Sequence, residues 1–380
     1  MSVVKIHVLH LDDEQRADVE ERFAACRAAE HMTDVPGFRS VELLRPTDGQ
    51  PHYFLLSRWD DDAAYCDWLA HGTTYRTMTT ASVDLLEFDA VEPRHKQDLI
   101  IHILQLWSLS RADTNTMTTS ITAGKCVIDV TDSGGPGAAI VLAHGFALDR
   151  SMFDGAIPAS PDRRVITWDA PGHGDSPASD EPFSFWDLAR DQLAVMDALG
   201  IDKAAVGGCS QGGFIALRTA LLAPERVTAL ILIDTEAAAL DTAETAAYQN
   251  MFAALAEAGP TPELTTALSG QIIGDHPAAD TWARTWQTRG IPLGHPVDCL
   301  LNRDDITDQL PQIRVPALVV RGEHDHSIPP ERQQQLRDAL PGPSEVLVIN
   351  GAGHSPTVTH PYAVRTAVDH FLTATTFHLQ

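Results

Sequence analysis

Two different rhythms of apolar and polar positions divide the chain. Between residues 3 and 90, short alternating runs trade places with helical stripes. Val4, Ile6 and Val8 alternate along a first strand. Asp12 with Gln15 three positions on resembles a capping box, and the helix it opens carries Val19, Phe23 and Cys26 at i, i+4 and i+7. Pro36-Gly37 punctuates, Arg39, Val41 and Leu43 alternate, and the turn Thr47-Asp48-Gly49-Gln50 leads into Tyr53-Phe54-Leu55-Leu56. Asp60-Asp61-Asp62 place carboxylates where a helix N-terminus favours them. Tyr65, Trp68 and Leu69 form that helix's buried stripe, and Val83 to Phe88 supply a last strand. The order strand, helix, strand, strand, helix, strand predicts a small α+β domain over residues 1–92.

Residues 93–118 read as a connector with one amphipathic element, charged at Arg94-His95-Lys96 and apolar from Leu99 to Trp107. From about residue 119 onward the pattern changes. Continuous apolar runs (Ala139 to Ala143, Val165 to Trp168, Ala204 to Val206, Ala229 to Ile233, Ala317 to Val320, Val346 to Ile349) alternate with helical stretches. Strands apolar on both faces, separated by helices, predict a parallel sheet covered on both sides. Between residues 236 and 312 the alternation stops. An alanine-rich helical insertion intervenes there, holding Trp282 and Trp286, and its place beside the sheet's carboxyl edge predicts a cap over a pocket.

Composition narrows the function classes. In 380 residues, 52 acids against 27 bases give a formal charge of −25, which repels nucleic-acid phosphates and anionic lipid, so neither is an expected partner. The longest apolar run, Leu99 to Trp107, is broken by His102 and Gln105 and falls short of the ~20 residues that span a bilayer. No basic-then-apolar leader opens the chain, which together with the cysteines predicts a cytoplasmic protein. The five cysteines are odd in number and never spaced C-x-x-C, and the histidines lack metal-ligand spacing. No disulfide, metal or cofactor is expected.

The strongest chemical signal is Gly208-Cys209-Ser210-Gln211-Gly212, between a strand and the helix that begins Gly213-Phe214-Ile215. This is G-x-S-x-G in the strand–turn–helix setting that presents a serine nucleophile on a strained turn. Cys209 is the rival nucleophile, but a motif centred on it would end at Gln211 rather than at glycine. A serine hydroxyl needs a base, and the base a carboxylate. Gly351-Ala352-Gly353-His354 follows the last strand, and Gly322-Glu323-His324-Asp325 follows the one before it. The order Ser210, Asp325, His354 therefore predicts a triad, with Asp234 as the fallback acid. His144-Gly145-Phe146 after the Ala139–Ala143 strand supplies a turn whose Phe146 amide, with that of Gln211, would form an oxyanion hole. His144, Trp282 and Trp286 are candidates for the substrate pocket.

With the Asp169-Ala170-Pro171-Gly172-His173-Gly174-Asp175-Ser176 loop added, residues 120–373 resemble an α/β-hydrolase fold enzyme. Gly212-Gly213-Phe214 and Leu232-Ile233-Asp234-Thr235 are most similar to the small esterase and lactonase members. The resemblance implies hydrolysis of an ester or lactone of a small, fairly apolar molecule, with C–C bond hydrolysis as an alternative.

The front domain resembles antibiotic biosynthesis monooxygenases of the ferredoxin-like, dimeric α+β barrel type. The matching features are Pro36-Gly37-Phe38, the strand ending at Trp59, and Tyr65-Cys66-Asp67-Trp68-Leu69. Trp59 matches the tryptophan of the oxygenase members. The first strand has no asparagine, only His7 and His10, and residues 75–80 hold no haem ligand. The expectation is therefore a domain that dimerises the chain or binds ligand. The alternative is a bifunctional, cofactor-independent monooxygenase plus hydrolase of secondary metabolism.

Overall fold

A computed structural model describes residues 3–10, 36–44, 52–60, 83–89, 117–124, 126–160, 162–342 and 344–378. The chain divides into two compact units, residues 1–103 and 104–380. The two helices predicted for the front domain, with Tyr65 and Trp68, and the 93–116 part of the connector lie outside the described residues.

The first unit contains β1 (Val3–His10), β2 (Phe38–Leu44), β3 (His52–Trp59) and β4 (Val83–Asp89), all antiparallel, in the order β2-β3-β1-β4. This is the sheet order of a ferredoxin-like α+β domain. β1 lies in the middle, His7 facing Leu55 on one neighbour and Leu85 on the other in register.

The second unit is built on an eight-stranded sheet, ordered β12-β11-β10-β9-β7-β8-β6-β5. β5 (Met117–Ala123) and β6 (Cys126–Asp132) form an antiparallel hairpin that adds to a core of parallel strands. These are β7 (Ala138–Ala143), β8 (Arg163–Trp168), β9 (Ala204–Cys209), β10 (Val227–Ile233), β11 (Ala317–Gly322) and β12 (Ser344–Ile349). The hairpin escapes an apolar-run reading because β5 is an edge strand with its first four residues exposed. Central β10 reads as an unbroken apolar run because Leu230 to Ile233 are all fully buried.

Helices α1 (Phe185–Ala198) and α2 (Gln211–Leu222) pack on each other, and α2 lies against β9 and β10. Ser184 opens α1 through a capping box with Asp187. Between β10 and β11 stand four cap helices: α3 (Thr242–Ala258), α4 (Pro262–Ile272), α5 (Ala278–Arg289) and α6 (His295–Leu301). α7 (Pro330–Ala339) connects β11 to β12, and α8 (Pro361–His378) ends the described chain. No helix among the described residues is long and apolar enough to cross a membrane.

Candidate active site

Ser210 sits where β9 turns into α2, at φ 52° and ψ −114°. A non-glycine residue there costs about 1–2 kcal/mol, so the surroundings must hold it. They do so through backbone and glycines. The Ser210 amide donates to the Ile233 carbonyl at 2.9 Å, and the Thr235 hydroxyl donates to the Ser210 carbonyl at 2.8 Å. A Cβ on Gly208 or Gly212 would stand 2.2 or 1.8 Å from the Ala143 carbonyl oxygen, and one on Gly213 would strike the Thr235 side chain at 2.4 Å. The glycines of the motif are thus space requirements that let α2 start directly above β7 and β9.

Loops after β11 and β12 bring Asp325 and His354 together. His354 Nδ1 lies 2.9 Å from Asp325 Oδ1, and both side chains are buried. Asp325 also accepts the Ser327 and Ile328 amides at 2.8 and 3.0 Å and the Gln333 side-chain amide at 3.0 Å. Burial alone would push this carboxyl up, but the His354 ring and these donors outweigh it and hold it below the ordinary carboxylate range. An ionised Asp325 accepts the proton on Nδ1, which leaves Nε2 as the nitrogen that can act as a base. His354 and Ser210 line one narrow cavity of about 40 Å³.

Asp234, at the end of β10, is buried beside them; polar atoms of Asp234, Asp325 and His354 all lie within 4.8 Å of one another. Burial and the adjacent Asp325 charge push Asp234 well above its ordinary value, so it is the neutral member of the pair. Cys209 is likewise buried, and burial, then the charges of Asp234 and Asp325, push its thiol far up; it supplies no thiolate. Glu323 turns aside to accept the Gly351 amide at 2.8 Å.

The Phe146 and Gln211 amides have no protein acceptor among the described residues. Gln211 is the first residue of α2, where the helix dipole adds to its pull on negative charge. His144 does not line the cavity. Its Nε2 accepts the Ala170 amide at 2.9 Å and its Nδ1–H donates to the Gly145 carbonyl at 2.8 Å, which fixes a neutral tautomer and ties the Phe146 turn to the Asp169–Ser176 loop. His173 packs edge-on against the Phe146 ring at 5.3 Å, and burial holds it well below its ordinary value, as a neutral ring.

Cap residues differ from the expectation. Trp282 and Trp286 do not line the Ser210 cavity; both border a neighbouring cleft with Arg289 and Pro292. Trp286 instead donates its indole N–H to the Ala147 carbonyl at 2.6 Å, bracing the residue after Phe146. The cap wall facing Ser210 comes from Tyr248, Met251 and Phe252 of α3 and Leu268, Gln271 and Ile272 of α4, with Arg303 following α6. Phe252 meets the Phe146 ring edge-on at 5.2 Å. Ser355 Oγ, also in the lining, is buried with no partner among the described residues. The spacing of Tyr248, Met251 and Phe252 at i, i+3 and i+4 in an alanine-rich helix was the available signal for this wall; nothing in the sequence marked Arg303.

In the first unit, Trp59 is fully buried, donates its indole N–H to Ser57 Oγ at 3.0 Å and meets the Phe38 ring edge-on at 5.3 Å.

The family model described as alpha/beta hydrolase fold matches residues 138–361, more than half of the chain, and the protein belongs to that family. Residues 2–78 match the antibiotic biosynthesis monooxygenase model. A dihydrolipoyllysine-residue acetyltransferase component of an acetoin cleaving system from Pseudomonas putida is 32% identical over 58% of this chain, which spans 60% of that relative's length. A 3-oxoadipate enol-lactonase from Acinetobacter baylyi is 28% identical over 61% of this chain and 87% of its own. The structure of a thermophilic esterase from Thermogutta terrifontis, with malate bound, superposes with a TM-score of 0.62 at 26% identity, covering 68% of this chain and 99% of the esterase. The relatives thus include ester and lactone hydrolases.

Proposed function

We propose that the second unit is a serine hydrolase that cleaves an ester or lactone of a small molecule. The observation that carries this reading is the meeting of Ser210 and His354 in one cavity while the far nitrogen of His354 is held by a buried, ionised Asp325. In this mechanism His354 Nε2 takes the Ser210 proton as Oγ attacks the carbonyl carbon. The Phe146 and Gln211 amides hold the oxyanion, each such donor contributing roughly 10²–10³ in rate. His354 then returns the proton to the leaving oxygen, and water repeats the sequence on the acyl-enzyme. Apolar walls from Leu148, Phe214 and Phe252 suit a fairly apolar acyl group. The test is intact-mass measurement after exposure to a fluorophosphonate. One adduct on the wild type, lost in Ser210→Ala, is expected; an adduct retained in Ser210→Ala overturns the assignment.

For the first unit we read a dimerisation or ligand-binding role, because Trp59 is committed to the interior and to Ser57. Sedimentation of the full chain is expected to give a homodimer; a monomer at micromolar concentration overturns the dimerisation role.

A further inference from the structure

Resting on the hydrolase reading above, we propose that Arg303 and Tyr248 form an anion-recognition subsite in the Ser210 cavity, and that the substrate is an ester or lactone carrying a carboxylate on its acyl chain. Both side chains line the same cavity as Ser210 and His354. Arg303 is there despite the cost of burying a charge: its side chain is only 4% exposed. Its Nε donates to the Ala238 carbonyl at 3.0 Å and its Nη2 pairs with Glu236. Its Nη1 has no protein partner among the described residues, and neither has the Tyr248 hydroxyl.

The way contacts are shared around Glu236 points the same way. That carboxylate is buried and divides itself between two arginines, Arg303 on Oε1 and Arg332 on Oε2. Arg332 has further acids in Glu244 at 2.9 Å and Asp241 at 3.7 Å. Arg303 has Glu236 as its one ion-pair partner among the described residues, with Glu244 acting on it from farther away, and it keeps an N–H without a protein acceptor. A substrate carboxylate completes that fork, and a hydrogen bond of this charge-assisted kind is the strong sort. In a chain of formal charge −25, an anionic ligand is repelled unless a local cation receives it, which makes this guanidinium selective rather than incidental.

Placement suits an acyl chain of modest length. The guanidinium lies over the Phe214 ring, 4.7 Å from its centroid. Phe214 is one helical turn beyond Ser210 on α2, its amide donating to the Ser210 carbonyl at 3.2 Å. A turn advances roughly 5.4 Å along the axis, so a few methylenes against Phe214 separate the scissile carbonyl from the cation.

The test compares mono-p-nitrophenyl esters of the dicarboxylic acids from adipic to suberic with the same esters methyl-capped at the far carboxyl. Release of p-nitrophenol is read as kcat/KM for the full-length wild type, Arg303→Gln, Tyr248→Phe and Ser210→Ala. At one chain length at least, the free-carboxylate ester is expected to exceed its capped twin by roughly 10-fold or more. Arg303→Gln should bring that ratio near one, and Tyr248→Phe should lower it a few-fold. A merely structural role for Arg303 would slow both esters in proportion and leave the ratio standing. If Arg303→Gln does not fold, Tyr248→Phe decides: a fallen ratio supports the subsite and an unchanged one overturns it. A wild type that takes the capped esters as well or better at every length overturns the subsite and leaves the hydrolase reading intact. No release above the Ser210→Ala background from any ester overturns the hydrolase reading itself.

Discussion

Asp234 and Asp325 come from the ends of neighbouring strands and bring their carboxyl groups into one buried cluster with His354, polar atoms within 4.8 Å. Two carboxylates that close do not both ionise, and the donors around them decide which one does. Asp325 has the His354 ring, two amides and Gln333, whereas Asp234 has the Gly322 amide at 2.8 Å, a long contact to Gln333 at 3.5 Å and an Oδ2 with no partner among the described residues. The charge therefore settles on Asp325 and the proton on Asp234.

Asparagine is a fair copy of a protonated aspartic acid and a poor one of a carboxylate. Asp325→Asn is expected to lower kcat by about 10³–10⁴, because the neutral amide no longer stabilises the imidazolium and can turn its NH2 toward Nδ1, which puts the ring proton on Nε2. Asp234→Asn is expected to cost less than about 10-fold. Steady-state hydrolysis of p-nitrophenyl butyrate checks both, and a larger loss in Asp234→Asn than in Asp325→Asn would show the proton assignment to be reversed. The depressed acid also gives a pH dependence of stability. Asp325's contribution is fully present above the ordinary carboxylate value and is lost as pH falls through its lower folded one.

The backbone at Ser210 predicts a trade between stability and activity. Ser210→Ala and Ser210→Gly both remove the hydroxyl, but only glycine relieves the positive φ of 52°. The glycine variant regains about 1–2 kcal/mol of strain and gives back part of it through a more flexible unfolded chain. Thermal unfolding should place Ser210→Gly above Ser210→Ala by roughly 2–4 °C, the shift of about 1 kcal/mol in a domain of this size. Neither should cleave ester. A glycine variant no more stable than the alanine one would mean that the turn is not strained.

Glycines with the same name play opposite roles in this unit. A Cβ at position 212 would lie 1.8 Å from the Ala143 oxygen, which is strand backbone and cannot step aside, whereas one at position 270 meets nothing within 4 Å. Gly212→Ala is expected to destabilise by about 3 kcal/mol or more, the high end of overpacking. Gly270, exposed in α4, should gain about 0.5–1 kcal/mol on conversion to alanine. Urea unfolding of the two variants gives both numbers, and a neutral Gly212→Ala would refute the close approach of α2 to β7.

How legible all this was follows from what each feature depends on. The parallel strands showed because β10 and its neighbours are buried on both faces, and the elbow, acid and histidine loops showed because each follows such a strand. The β5–β6 hairpin did not, since an edge strand with four exposed residues carries no apolar run. The tryptophans of α5 misled because size marks a residue as buried without saying against what: Trp286 braces Ala147 from behind the Phe146 turn, and Tyr248 and Phe252 of α3 do the lining. Arg303 was invisible because its meaning lies in Glu236, 67 residues earlier, and in the ring of Phe214.

Asp191 carries the clearest prediction of a pH-dependent stability. It sits half-buried in α1 beside the β5–β6 turn, with Asp187 one helical turn before it, and burial first, then the Asp187 charge, pushes it up to about 7. In the unfolded chain its value is the ordinary ~3.9. Below that both states hold the proton and the site costs nothing. As pH rises from there, the unfolded chain releases its proton while the folded one keeps it until about 7, so stability falls across that window and stays low above it. Asp191→Asn removes the ionisation. Solvent screening of a half-exposed carboxylate reduces the full effect to about 1 kcal/mol, roughly 2–4 °C in Tm. The variant should therefore melt above the wild type by that amount at pH 8, and by less than about half of it at pH 5. Melting curves of both proteins at the two pH values decide it, and a gain that is equal or larger at pH 5 would show that Asp191 ionises as an ordinary surface acid.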